Sequence, residues 1–176
     1  GYMPTTLQTA SMKPKLWPIV AIALDDSGIF LAIATDTGRI GLWSIATSRF
    51  VMFPHVDFRG QVPALFSFVN IIRNDNERPY VIILSPDGYL TELEARTGIH
   101  RTRRISASAV LCAQIYVNTK GEAYLVFVCK PGEVHILSLQ KPNNASSEVV
   151  ASLDPGPPPD SNPSKVKCIH GMPSLG

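Results

Sequence analysis

The sequence predicts an all-β fold of three consecutive four-stranded antiparallel units, and three observations support it. The first is composition: 176 residues, 45% of them hydrophobic and only 17% charged, punctuated by 15 prolines and 12 glycines. That balance favours many short elements joined by tight turns over a helical bundle. The second is an internal repeat. Gly38-Arg-Ile-Gly-Leu-Trp-Ser-Ile45, Gly88-Tyr-Leu-Thr-Glu-Leu-Glu-Ala95 and Gly132-Glu-Val-His-Ile-Leu-Ser-Leu139 superimpose on their glycines, which lie 50 and 44 residues apart. The third is that the runs between turns are almost continuously aliphatic, the pattern of strands covered on both faces.

Each unit reads as a meander. In the first, Ile19–Leu24 is followed by the turn Asp25-Asp-Ser-Gly28, then Ile29–Thr35, the turn Asp36-Thr-Gly38 and the repeated segment itself. In the second, Ala64–Ile72 leads through Arg73-Asn-Asp-Asn-Glu77 to Tyr80–Leu84, the turn Pro86-Asp-Gly88 and the repeat. In the third, Ala109–Val117, Asn118-Thr-Lys-Gly121, Tyr124–Cys129 and Lys130-Pro-Gly132 precede the repeat. These turn residues suit hairpin geometry. A weaker fourth strand is expected near Phe50–Phe53, Arg103–Ser106 and Val149–Leu153, closing units at about 17–56, 62–106 and 107–153.

Sheets stacked face to face, as the blades of a propeller are, would make both faces of each strand apolar, whereas a two-layer sandwich alternates more cleanly. The stretch Ala23-Leu-Asp-Asp-Ser-Gly-Ile-Phe-Leu-Ala-Ile-Ala-Thr-Asp-Thr-Gly-Arg-Ile-Gly-Leu-Trp43 resembles the second half of a WD-type repeat. The departures are specific: the family's Trp-Asp pair is Trp43-Ser44, Leu93-Glu94 and Leu137-Ser138 here, and no Gly-His pair opens a unit. Gly121-Glu-Ala-Tyr-Leu-Val-Phe-Val-Cys-Lys-Pro-Gly-Glu-Val-His-Ile-Leu-Ser-Leu-Gln-Lys-Pro142 is similar to a late blade of the lethal giant larvae/tomosyn family. Those are double-propeller proteins that bind SNAREs and regulate vesicle fusion, so the resemblance implies a trafficking adaptor. Three blades fall short of the usual four to eight, so the expectation is a partial propeller completed by another chain or by further parts of a longer one. Residues 1–16 are read as an N-terminal extension, 154–164 as a proline-rich linker, and 165–176 as the start of a further blade.

Several functions are disfavoured. Lys+Arg 16 against Asp+Glu 14 gives only +2, too little to recruit nucleic acid or an anionic membrane by global charge. The strand aromatics Phe66, Phe68, Tyr80, Tyr124 and Phe127 read as core, not as a base-stacking platform. Cys112, Cys129 and Cys168 fit neither a disulfide framework nor a zinc site and are expected to be reduced, in a cytoplasmic protein. No run approaches the length of a spanning helix. His55, His100, His135 and His170 occupy different places in the repeat, unlike a metal cluster. Asp25, Asp26, Asp36, Asp75 and Glu77 belong to turns and lack the spacing of a calcium loop. No catalytic motif is present, so the chain is read as a non-enzyme without cofactor or metal.

The most distinctive polar feature is His100-Arg-Thr-Arg-Arg104, with Arg96 just upstream. Guanidinium forks are bidentate donors to carboxylates and phosphates. Arg101, Arg103 and Arg104 are therefore the expected partner-binding residues of a protein-interaction scaffold. The alternative is a phosphoinositide or acidic-surface binder using the same strand, while charge that merely protects an edge strand from pairing explains it without any ligand. Glu92 and Glu94 are expected to dampen the local potential.

Overall fold

Turn chemistry divides the chain as the repeat predicts. A computed structural model describes residues 18–53, 62–141 and 148–152. The expected extension, linker and further blade, together with His55, His170 and Cys168, lie outside the described residues. Sheet 1 contains β1 (Ile19–Leu24), β2 (Phe30–Thr35), β3 (Ile40–Ser44) and β4 (Arg49–Phe53). Sheet 2 contains β5 (Leu65–Arg73), β6 (Asn76–Leu84), β7 (Tyr89–Glu94) and β8 (His100–Arg104). Sheet 3 contains β9 (Val110–Val117), β10 (Ala123–Cys129), β11 (Glu133–Ser138) and β12 (Glu148–Ser152). Within each sheet every strand pairs antiparallel with its neighbour in sequence, so each sheet is a simple meander.

The three repeated glycines do the same work. Gly38, Gly88 and Gly132 all have positive φ, and their amides donate to the carbonyls of Thr35, Ser85 and Cys129 at 3.1, 3.0 and 2.7 Å. Gly88 is the most demanding position. Its φ is +91°, its carbonyl accepts from the Ile105 amide at 2.8 Å, and a Cβ there would collide with the Ser106 carbonyl. Only a residue without a side chain lets β8's exit run so close to this turn.

Two boundaries differ from expectation. The turn expected over Arg73–Glu77 is only Asn74-Asp75, both left-handed (φ 51° and 59°), as a two-residue type I′ hairpin requires. β6 therefore begins at Asn76 and runs through Pro79, although its polar start and its proline read as loop. The fourth strand of unit two begins at His100, not Arg103. Glu94 tightens the preceding turn, its carboxylate accepting from the amides of Arg96 (3.0 Å) and Thr97 (2.9 Å).

Packing follows from strand alternation. Val81 and Ile83 face sheet 1 while Ile82 and Leu84 face sheet 3, and all four are 0% exposed. Sheet 2 is thus covered on both sides. One core joins Phe30, Ala32, Ala34, Ile40 and Leu42 to Val81, Ile83 and Leu93. A second joins Val69, Ile71, Ile82, Leu84 and Leu90 to Leu125, Phe127, Leu137 and Leu139. The leading strands lie side by side, β1 against β5 and β5 against β9. No hydrophobic cluster joins sheet 1 to sheet 3 among the described residues.

Candidate functional site

The β7–β8 register decides what the arginine strand presents. Arg101 stands opposite Glu92, Thr102 opposite Thr91, Arg103 opposite Leu90 and Arg104 opposite Tyr89. Side chains alternate across a sheet, so Arg101 and Arg103 face sheet 3 while Arg104 faces the side of sheet 1. The three expected contact residues do not form one row. Arg104 lies over the Tyr89 ring at 5.6 Å and donates to the carbonyls of Ser106 (3.1 Å) and Ala107 (3.4 Å). Burial lowers the pKa of Arg103, opposed by Glu92 and reinforced by Arg101 and Arg73.

Arg101 instead joins an ionic cluster that the linear sequence conceals. Glu92 is 4% exposed. One of its carboxylate oxygens accepts from Arg73, and the other from Arg101 Nη2 at 3.1 Å. Arg73, at the end of β5, also donates through Nε to the Leu139 carbonyl at 3.1 Å, and its guanidinium lies 4.8 Å from the Tyr80 ring centre. It thereby ties sheet 2 to sheet 3. A buried carboxylate held by two guanidiniums satisfies the pairing that burial of charge demands.

This cluster floors a cleft of about 270 Å³ on the face of sheet 2 that carries Glu92 and Arg101. Its rim adds Arg78, Thr97, Ile99 and His100. A second cleft of about 320 Å³ opens between sheets 1 and 2, with Phe30, Leu42, Val51 and Phe53 inside and Arg49 and Arg96 among its lining residues. Thr97 lines both, so the β7–β8 turn (residues 95–99) is the wall between them. Gly98 there has φ +76°, and a Cβ on it would press against the Phe53 ring at 3.1 Å. Glycine thus brings this turn onto sheet 1.

Sequence reading singled out Arg101 and the damping carboxylates but missed Arg73 and Arg78. Arg73 was assigned to a turn and Arg78 to no element, yet both come to the cleft on the β5–β6 hairpin. The available signal was the Asn74-Asp75 pair, which as a two-residue turn sets the β5–β6 register.

Other candidates have structural roles. Cys112 and Cys129 are buried thiols outside any disulfide. Burial pushes the Cys129 thiol up, its 3.2 Å contact with Ser106 Oγ opposing this, so it is a weaker nucleophile than an ordinary cysteine. His135 stacks on Phe127 at 5.0 Å and reaches Glu133 at 3.3 Å. The Asn118 side chain accepts from the amides of Lys120 and Glu122, both at 2.9 Å, and donates to the Glu122 carboxylate at 2.8 Å. Among the described residues no group of three or more His, Cys, Asp or Glu is placed to hold a metal ion, and no helix is long and apolar enough to cross a membrane. No family model and no curated protein matches the chain.

Proposed function

We propose that this chain is a non-catalytic platform for protein partners, forming part of a larger WD-like β-propeller. The observation that carries the reading is the outward face of sheet 1. Ile22, Leu24 and Trp43 are 66%, 60% and 44% exposed there, with Leu31 and Ile33 aligned beside them by strand pairing. An apolar face of this kind marks an interaction surface, and in sheet 2 both equivalent faces are covered by another sheet. Further sheets, from other parts of a longer chain or from another chain, would extend the stack toward a ring. The resemblance to WD-type repeats and to the lethal giant larvae/tomosyn family supports a vesicle-trafficking adaptor working in the cytoplasm. Loops held at the ends of stacked rigid sheets are suitable docking elements.

The test is selection of short random peptides displayed on phage against the immobilised chain. Recurrent sequences whose binding disappears when the chain is unfolded are the expected result. Failure to enrich any sequence over the unfolded control counts against a peptide-docking platform. The membrane alternative has less support, because β8 divides its arginines between two faces and pairs Arg101 with a buried carboxylate.

A further inference from the structure

We propose that the two clefts flanking the β7–β8 turn act as one composite groove for an extended peptide that carries acidic residues next to apolar ones. The proposal rests on the platform reading above and names the partner chemistry of one site on it.

The charge balance of the first cleft is positive. Arg73, Arg78 and Arg101 face two carboxylates, Glu92 and Glu94. Both oxygens of Glu92 accept from guanidiniums, and both oxygens of Glu94 accept from backbone amides. The carboxylates are therefore occupied in holding the fold. Arg78 has a side chain 45% exposed and stands 3.9 Å from Glu94, beyond hydrogen-bonding distance. A guanidinium so placed at a cleft mouth offers a fork to an incoming carboxylate.

Among the described residues no carboxylate lines the second cleft, but two arginines, Arg49 and Arg96, stand above an apolar floor that includes Phe30 and Phe53. Two adjoining clefts, both net positive and one apolar inside, match a ligand with negative charge at one point and a large apolar side chain at another. Ile99, 72% exposed on the dividing turn, adds an apolar contact between them. An extended peptide advances about 3.3 Å per residue, so a few residues span one short turn. A lipid headgroup or free phosphate would use the charges but not the apolar floor.

The experiment is fluorescence anisotropy on the full chain with a labelled peptide containing two adjacent glutamates followed, a few residues on, by leucine and phenylalanine. Saturable binding is expected, weakened at least ~10-fold, about 1.4 kcal/mol, by Arg78→Glu and by Arg49→Glu. The same loss is expected when the glutamates become glutamines or the leucine-phenylalanine pair becomes serines. Arg78→Gln should give an intermediate loss, and an unchanged far-ultraviolet circular dichroism spectrum verifies that each variant is folded. Equal binding by the altered peptides, or unchanged binding by both glutamate variants, overturns the proposal. So does tighter binding to phosphatidylserine vesicles than to the peptide with the same sensitivity to Arg49→Glu and Arg78→Glu, which makes the surface a membrane site. Should phage selection enrich peptides that ignore both substitutions, the platform reading stands and this groove is not its site.

Discussion

The two faces of sheet 1 are built from the same kinds of residue and end in opposite surroundings. Toward sheet 2, Phe30, Ala32, Ala34, Ile40 and Leu42 are at most 8% exposed. Away from it, Ile22, Leu24 and Trp43 are 44–66% exposed. Strand alternation assigns residues to faces, but it does not say which face is covered. Hydrophobicity records that a face stabilises the protein when buried; a neighbouring sheet determines whether burial happens. The exposure of the outward face therefore reflects that no hydrophobic cluster covers it among the described residues, not a difference in the strands that carry it.

Substitutions on covered and uncovered faces can break this comparison. The largest effect is expected for Phe127→Ala, which empties a site of 0% exposure between sheets 2 and 3: about 3–5 kcal/mol, read by urea denaturation. Glu92→Ala should cost about 3 kcal/mol in the same assay, because it leaves Arg73 partly buried without its carboxylate. A loss no larger than that of an exposed ion pair would mean that water already reaches this cluster. Gly88→Ala comes next, at about 1–3 kcal/mol, since backbone strain is compounded by the Ser106 carbonyl. Gly28→Ala, with φ +72° but nothing within 4 Å of the added Cβ, should cost less, about 1 kcal/mol.

Leu24→Ala on the uncovered face should change stability by no more than about 0.5 kcal/mol. If it costs as much as a substitution between sheets, something covers that face in solution, and the loss should then grow with protein concentration. The smallest effect concerns Glu122 beside sheet 3. Hydrogen bonds from Asn118 and Tyr124 hold its carboxylate below the ordinary 4.5. A carboxylate depressed in the folded state stabilises fully above its unfolded pKa, and that contribution fades as pH falls through the lower folded value. Stability should thus show a shallow decline below about pH 4.5 that Glu122→Gln flattens, seen in denaturation midpoints measured across the acid range.

Much of the fold was legible because local chemistry repeats. Glycine turns at Gly38, Gly88 and Gly132, each preceded by an aliphatic run, located the central strands of all three sheets. β6 was legible only in its second half, since Asn76, Glu77 and Arg78 are exposed and Pro79 looks like a strand breaker. Partners in space overrode that local preference: Pro79 needs no ladder donor, and its carbonyl accepts from the Ala95 amide at 2.9 Å. The site was less legible than the fold. A run of arginines was visible, but its division between two faces depends on register. The arginines that complete the cleft arrive from a hairpin some twenty residues earlier in the chain.

By itself the sequence determined the aliphatic strand runs, the glycine turns and the antiparallel order within each unit, though not the start of β6 or β8. The reason is that steric limits at glycine and the burial of aliphatic side chains act over a few neighbouring residues. Only the tertiary structure decided which apolar faces are covered, that Glu92 gathers Arg73 and Arg101, and that two clefts share the Thr97 turn. Those outcomes depend on how whole sheets meet. Charge pairing and burial are set by distance in space, and residues far apart along the chain share that distance only after the sheets have packed.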